Sequence, residues 1–288
     1  MKSKILCIVS FCVCISFGGC EEIKEMIPDR LTPEEIVAGL RAALNKGSEM
    51  ASVHAFGSEL SDVKGGGDGF LNNKYIDISI PLPAELNPML SAINDVPADV
   101  WTAVKLVLPE YDFPARFNEL FRAMNIAAAI AAKGSFNAFV PVIRDMDIRE
   151  GINILNSSNN TAATDYLFTE ADDDLRITFK TVIDKVFKDD LNVMAQFWTP
   201  LATSYNKLQN TINSPLLRPG LELALGKETV SYLSFGGSAI ETDLEPYIAT
   251  KAIDGLKKLV AREETLIRSN PNSYAEDIIR RVFGHKDE

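Results

Sequence analysis

Apolar and polar positions along the chain recur mostly with the period of an α-helix. The first such stretch opens at Thr32-Pro33-Glu34-Glu35. A threonine N-cap, a proline at the first helical position and a glutamate at the third satisfy the free N–H groups of a helix start. Ile36, Val37, Leu40, Ala43, Leu44 and Gly47 then share one face. Similar starts are predicted at Asp147-x-x-Glu150, Thr242-x-x-Glu245 and Ser273-x-x-Glu276, the last helix stopping at Gly284. Between these signals the periodicity predicts helices over about 84–95, 98–108, 114–136, 138–145, 148–156, 161–170, 173–188, 191–211, 216–234, 243–269 and 274–283. The run from Ala127 to Ala132 allows close approach of neighbouring backbones and marks 114–136 as a central, buried helix.

One stretch breaks the period. Gly65-Gly66-Gly67-Asp68-Gly69 predicts a flexible loop, and Pro81 and Pro83 close an extended segment in which Ile76, Ile78 and Ile80 alternate. With no second strand to pair with, that segment is expected to lie over the helices as a cover. The predicted architecture is all-α: one bundle-like domain over 32–288, carrying a Gly-rich loop and an extended segment within 63–83.

The first twenty residues follow a different logic. Lys2 and Lys4 precede an apolar run from Ile5 to Phe17, followed by Gly18, Gly19 and Cys20. A run of about 13 residues is short for a bilayer span and suits the core of an export signal. This layout predicts a bacterial lipoprotein signal over 1–19, with acyl chains on Cys20 and a tether over 20–31. Phe17 departs from the aliphatic residue usual at that position, and the alternative is a plain secreted protein cut nearby. All four cysteines (Cys7, Cys12, Cys14 and Cys20) lie in this segment, so processing would leave Cys20 as the one thiol.

Charge narrows the partners. The chain carries 29 basic and 40 acidic residues, and loss of Lys2 and Lys4 with the signal makes the mature protein still more acidic. Such a surface repels phosphate backbones and anionic headgroups, which argues against nucleic acid and leaves lipid as the means of holding a membrane.

Catalytic patterns do not assemble. The two histidines, His54 and His285, are far apart in sequence, and no nucleophile elbow or zinc-ligand spacing accompanies them. The glycine run lacks the Lys-Ser/Thr of a phosphate loop. Asp172-Asp173-Asp174 suits the first turn of a helix. Neither a metal nor a cofactor is expected, and no catalytic residue is assigned. One carboxylate is out of place. Projected at 100° per residue, Glu263 falls amid Ile248, Ala252, Gly255, Leu256, Leu259, Leu266 and Ile267, with Arg262 and Glu264 on the opposite, polar side. A carboxylate there must find a partner or hold its proton. Asn125 and Tyr166 are polar groups on otherwise apolar helices, expected to make helix-to-helix hydrogen bonds.

Several pieces together resemble the bacterial envelope proteins grouped as domain-of-unknown-function family 4197. They are Gly39-Leu40 through Leu44 with Gly47, Gly69 through Asn73, Ile80 through Pro83, Met124-Asn125, Ala162-Ala163-Thr164 with Tyr166, Tyr247 with Lys251-Ala252, Asp254-Gly255-Leu256, Ile267-Arg268 with Asn270-Pro271, and Val282-Phe283-Gly284. The resemblance implies an exported, mostly helical protein and brings no activity. It has one departure: an arginine and a glutamate usual after the Met-Asn pair are replaced here by the apolar run Ile126 to Ile130.

The expected function is therefore that of a lipid-anchored protein of the bacterial cell envelope, on the periplasmic side of the outer membrane. It would bind a protein partner or an apolar ligand without catalysis, with Glu263, Asn125 and Tyr166 as candidate site residues. The alternative is a carboxylate-based envelope hydrolase using Glu263, for which two carboxyls about 5–10 Å apart would be needed.

Overall fold

The computed structural model describes residues 31–72, 76–87, 113–190, 198–234, 240 and 243–284, with the single positions 90, 99 and 102. The signal segment 1–19, Cys20 with most of its tether, the helix predicted at 98–108 apart from positions 99 and 102, and His285 lie outside the described residues.

The described helices are α1 (Pro33–Phe56), α2 (Phe113–Lys133), α3 (Phe136–Asp145), α4 (Ile148–Leu155), α5 (Ala162–Glu170), α6 (Asp172–Lys185), α7 (Thr199–Ile212), α8 (Arg218–Leu225), α9 (Lys227–Leu233), α10 (Glu245–Ser269) and α11 (Asp277–Gly284). The protein is all-α, as its periodicity predicts. The one β-type pairing among the described residues is an isolated bridge between Glu59 and Gly67.

Two helix starts follow their sequence signals closely. At Thr32 and Asp147 both halves of the capping box form, with Glu35 and Glu150 reaching back to the cap N–H. Two others do not. α10 begins at Glu245 without a side-chain cap and with a proline in its first turn, because Pro246 has no N–H to satisfy and its fixed φ favours that position. Ser273 ends a short 3₁₀ turn, and α11 begins only at Asp277. The single helix predicted over 216–234 is two, divided at Gly226 with φ +85°. The start of the helix predicted at 84–95 is a 3₁₀ turn over Ala84–Leu86.

α1 is the hub. It packs against α2, α3, α4, α10 and α11, while α6 crosses α2 and α10. Small residues make this possible: a Cβ on Gly39 would lie 2.3 Å from Val282 Cγ2, and one on Gly151 would meet Val37 at 2.8 Å. Ala127, Ala128, Ala129, Ala131 and Ala132 of α2 are fully buried. The stretch Phe117–Asp145 is long and apolar enough to cross a membrane, with mean hydropathy 1.6, yet many of its side chains supply the protein's core. α8 is the opposite case, with no buried residue and with Leu223 open to solvent, as is Leu216 in the turn before it.

The glycine-rich loop is folded tightly rather than left loose. Gly69 N–H donates to the Phe56 carbonyl at 2.9 Å, and Ser58 N–H to Asp68 Oδ1 at 2.6 Å. A Cβ on Gly69 would sit 2.2 Å from the Ala55 carbonyl oxygen, so only glycine lets the loop return onto the end of α1. That return delivers Phe70, fully buried, into the core. The extended segment that follows covers the helices as predicted: Ile78 and Ile80 are buried, although Ile76 is exposed.

Candidate functional site

The three polar residues singled out by sequence do not converge on one site. Asn125 lies on α2 with its side chain fully buried. Its Oδ1 accepts from Ile80 N–H at 2.8 Å, and its Nδ2 donates to the carbonyls of Ile80 at 3.1 Å and Phe121 at 2.8 Å. The expected helix-to-helix bond is instead a bond from helix to extended chain. A primary amide has the donor and acceptor of a peptide group, so it stands in for the missing neighbouring strand. Across the segment, Tyr247 of α10 donates to the Pro81 carbonyl at 2.9 Å.

Glu263 is buried as projected, at 1 % exposure. Its Oε1 accepts from Arg262 Nη1 at 2.6 Å and lies 3.5 Å from His54 Nδ1 at the end of α1. Burial pushes its carboxyl above the usual range, and the Arg262 guanidinium opposes that shift. Gly47 gives it room, since a Cβ there would touch Glu263 Cβ at 3.6 Å. Asp254, the second carboxylate of the hydrolase alternative, is exposed in a groove on α10.

Glu264 corrects the projection. Helical spacing assigns it to the polar side, and it is buried at 7 % exposure. Its two oxygens accept from Ala163 N–H at 3.1 Å and from Thr164 N–H and Oγ1 at 2.8 Å, which caps α5 from a distance of about a hundred residues in sequence. Arg268, one turn on, donates to Glu264 Oε1 at 2.9 Å and to the Ile154 carbonyl at the end of α4 at 3.2 Å. One ion pair therefore serves the positive end of α5 and the negative end of α4. Leu266, placed on the apolar face by projection, is 38 % exposed, while its neighbour Ile267 is buried. The cavity beside this joint, lined by Leu40, Leu44, Val260 and Phe283, measures about 20 Å³. That is room for about one water and too little for an apolar ligand.

Tyr166 is half-buried between α5 and α4, and its hydroxyl donates to Glu150 Oε2 at 3.3 Å. Burial, then the Glu150 charge, pushes its hydroxyl up to about 12. Glu245, marked in sequence only as part of a helix start, is buried at the start of α10. Burial, then a hydrogen bond with Asp243, pushes it up to about 7.

A groove of about 510 Å³ lies on the outer side of α10. One wall is the extended chain at Ile78, Ser79 and Pro81; the other is the helix face carrying Lys251, Asp254 and Lys258, with Gly255 and Ala261 as floor. A Cβ on Gly255 would lie 2.8 Å from the Phe70 ring and 3.2 Å from Ile78 Cβ, so the glycine fixes how closely the two walls meet. Lys257 is tied to Asp165 at 2.8 Å, which lowers the Asp165 carboxyl. In sequence these lysines read as a solvated face, and nothing local indicates that residues 78–81 lie beside them.

The pieces behind the family resemblance are thus joints of the fold. Gly39 admits Val282, Gly69 returns the loop, Asn125 and Tyr247 hold the extended chain, Thr164 meets Glu264, Gly255 admits Phe70, and Arg268 closes α4. No curated protein and no solved structure matches the chain. The family described as Protein of unknown function (DUF4197) matches it over residues 30–284, and the chain belongs to that family.

Proposed function

We propose that this protein is a lipid-anchored domain of the bacterial cell envelope that works by holding a partner protein in the α10 groove, not by catalysis. The observation that carries this reading is the contrast in access: Glu263, Glu264 and Asn125 are buried and engaged in the fold, while the groove is concave, solvent-open and lined by charged side chains. The export layout at residues 1–20, with Cys20 as acylation site, supports the cell envelope as its place. Two acyl chains on that cysteine give stable anchoring, whereas one gives marginal binding.

Incorporation of labelled palmitate into wild type and its loss in Cys20→Ala tests the anchor; equal labelling in both overturns it. A crosslinker placed at Asp254 and, separately, at Ser158 on another exposed surface tests the groove. Adducts in intact cells confined to the Asp254 probe are expected, and equal adducts from both positions sink the assignment.

One observation favours a second reading, a hydrolase using Glu263: the raised protonation of its buried carboxyl is what a general acid requires. That reading needs Glu263→Gln to abolish an activity on envelope glycan while leaving stability intact.

A further inference from the structure

The groove's dimensions and charge define what it would hold, an inference that rests on the binding role proposed above. Lys251, Asp254 and Lys258 are spaced by three and four positions, so their side chains leave α10 on one face. Along the helix axis Lys251 and Lys258 are about 10 Å apart, and the groove from Lys251 to Ala261 runs about 15 Å. Lys251 and Lys258 are both exposed. Lys258 makes one long contact to the Asp77 carbonyl at 3.5 Å, whereas Lys257 is already committed to Asp165 at 2.8 Å. On a chain of net charge −11, this is a stripe of positive charge divided by one carboxylate.

We infer that the groove binds an extended acidic segment of a partner protein, with two carboxylates about three residues apart and neutral residues between them. A polyproline II chain advances about 3.1 Å per residue and returns its side chains to the same side every three residues, so two carboxylates three apart cover the separation of the lysines on one face, and four or five residues fill the groove. Charge complementarity selects the ends. Asp254 repels a third carboxylate at the centre, where the facing wall is the uncharged Ser79. The Pro81 carbonyl and both polar groups of Ile80 are occupied by Tyr247 and Asn125. At that end of the wall the guest is therefore held by its side chains and not by strand addition.

The test is fluorescence anisotropy of a labelled hexapeptide, Pro-Glu-Ser-Ala-Glu-Pro, titrated with the full chain in neutral detergent micelles. Saturable binding is expected, weakened at least tenfold when both glutamates of the peptide become glutamine and again in the double variant Lys251→Glu/Lys258→Glu. A peptide with lysine in place of both glutamates should restore binding to that double variant, which also shows that the variant is folded. Equal binding of the glutamate and glutamine peptides overturns the inference. So does indifference to the double reversal, or tighter binding of phosphatidylglycerol vesicles than of the peptide through the same lysines. Acylation of Cys20, read from the mass of the N-terminal peptide, is a separate result: its absence defeats the anchored role and leaves the peptide measurement to stand or fall alone.

Discussion

Glu263 and Glu264 are neighbours on α10, both are buried, and their surroundings treat charge in opposite ways. Glu264 receives two backbone N–H groups from the start of α5, a hydroxyl and a guanidinium. Glu263 has the Arg262 guanidinium and the more distant His54 imidazole, and burial leaves its carboxyl inclined to keep a proton. The difference shows what makes a buried carboxylate stabilising. Proximity to one cation offsets part of the desolvation; a helix N-terminus adds donors that are already oriented and would otherwise be orphaned.

The comparison breaks first at Glu264. Replacing it with alanine strands the α5 donors and leaves the largely buried Arg268 without its counter-charge, for an expected loss of about 3–5 kcal/mol in urea unfolding. A loss below about 1 kcal/mol would mean that water replaces the cap. The next largest effect belongs to Glu245, at the other end of the same helix, whose nearest charges include the acids Asp243 and Asp184. Its folded-state value of about 7 stands above the ordinary 4.5. Its contribution is thus fully present below pH 4.5 and is lost as pH rises through about 7. Glu245→Gln should therefore gain up to about 3 kcal/mol over wild type at pH 8, a gain that vanishes below pH 4.5. Parallel stability profiles for the two proteins from pH 4 to 8 would contradict this.

Asn125→Leu removes the amide that serves Ile80 and should cost about 2 kcal/mol, with faster hydrogen exchange at the Ile80 amide as the specific sign. Glu263→Gln has the smallest expected effect, under about 1 kcal/mol, since Arg262 can turn to solvent. Because the Glu263 carboxyl is also raised, the glutamine variant should lose less stability than wild type as pH climbs above the ordinary carboxylate range. A large loss at every pH would move Glu263 into the same class as Glu264.

The sequence reveals the class of the fold and about half of this carboxylate story. Projection alone places Glu263 in the core, because its neighbours at helical spacing are apolar. It fails at Glu264, because the residue's partners, Ala163 and Thr164, belong to another helix and leave no local signature. The capping boxes at Thr32 and Asp147 are local and so are legible; at α10 the proline in the first turn outweighs a capping pattern three residues earlier. Asn125 is visible as a polar residue in an apolar helix, but its partner Ile80 is set by the return of the glycine loop. The groove is hidden for the same reason. Its lysines are one helix face in sequence, and they become a site only where the extended chain comes to lie beside them.

That extended chain also bears on behaviour in a crowded compartment. A lone strand in a helical protein is a template on which a second molecule can add its own strand and begin an aggregate. Here Pro81 and Pro83 offer no N–H. Asn125 caps both polar groups of Ile80, and Tyr247 covers the Pro81 carbonyl. The segment is insulated at its C-terminal end against self-association, so copies brought to high concentration can crowd together without polymerising through it.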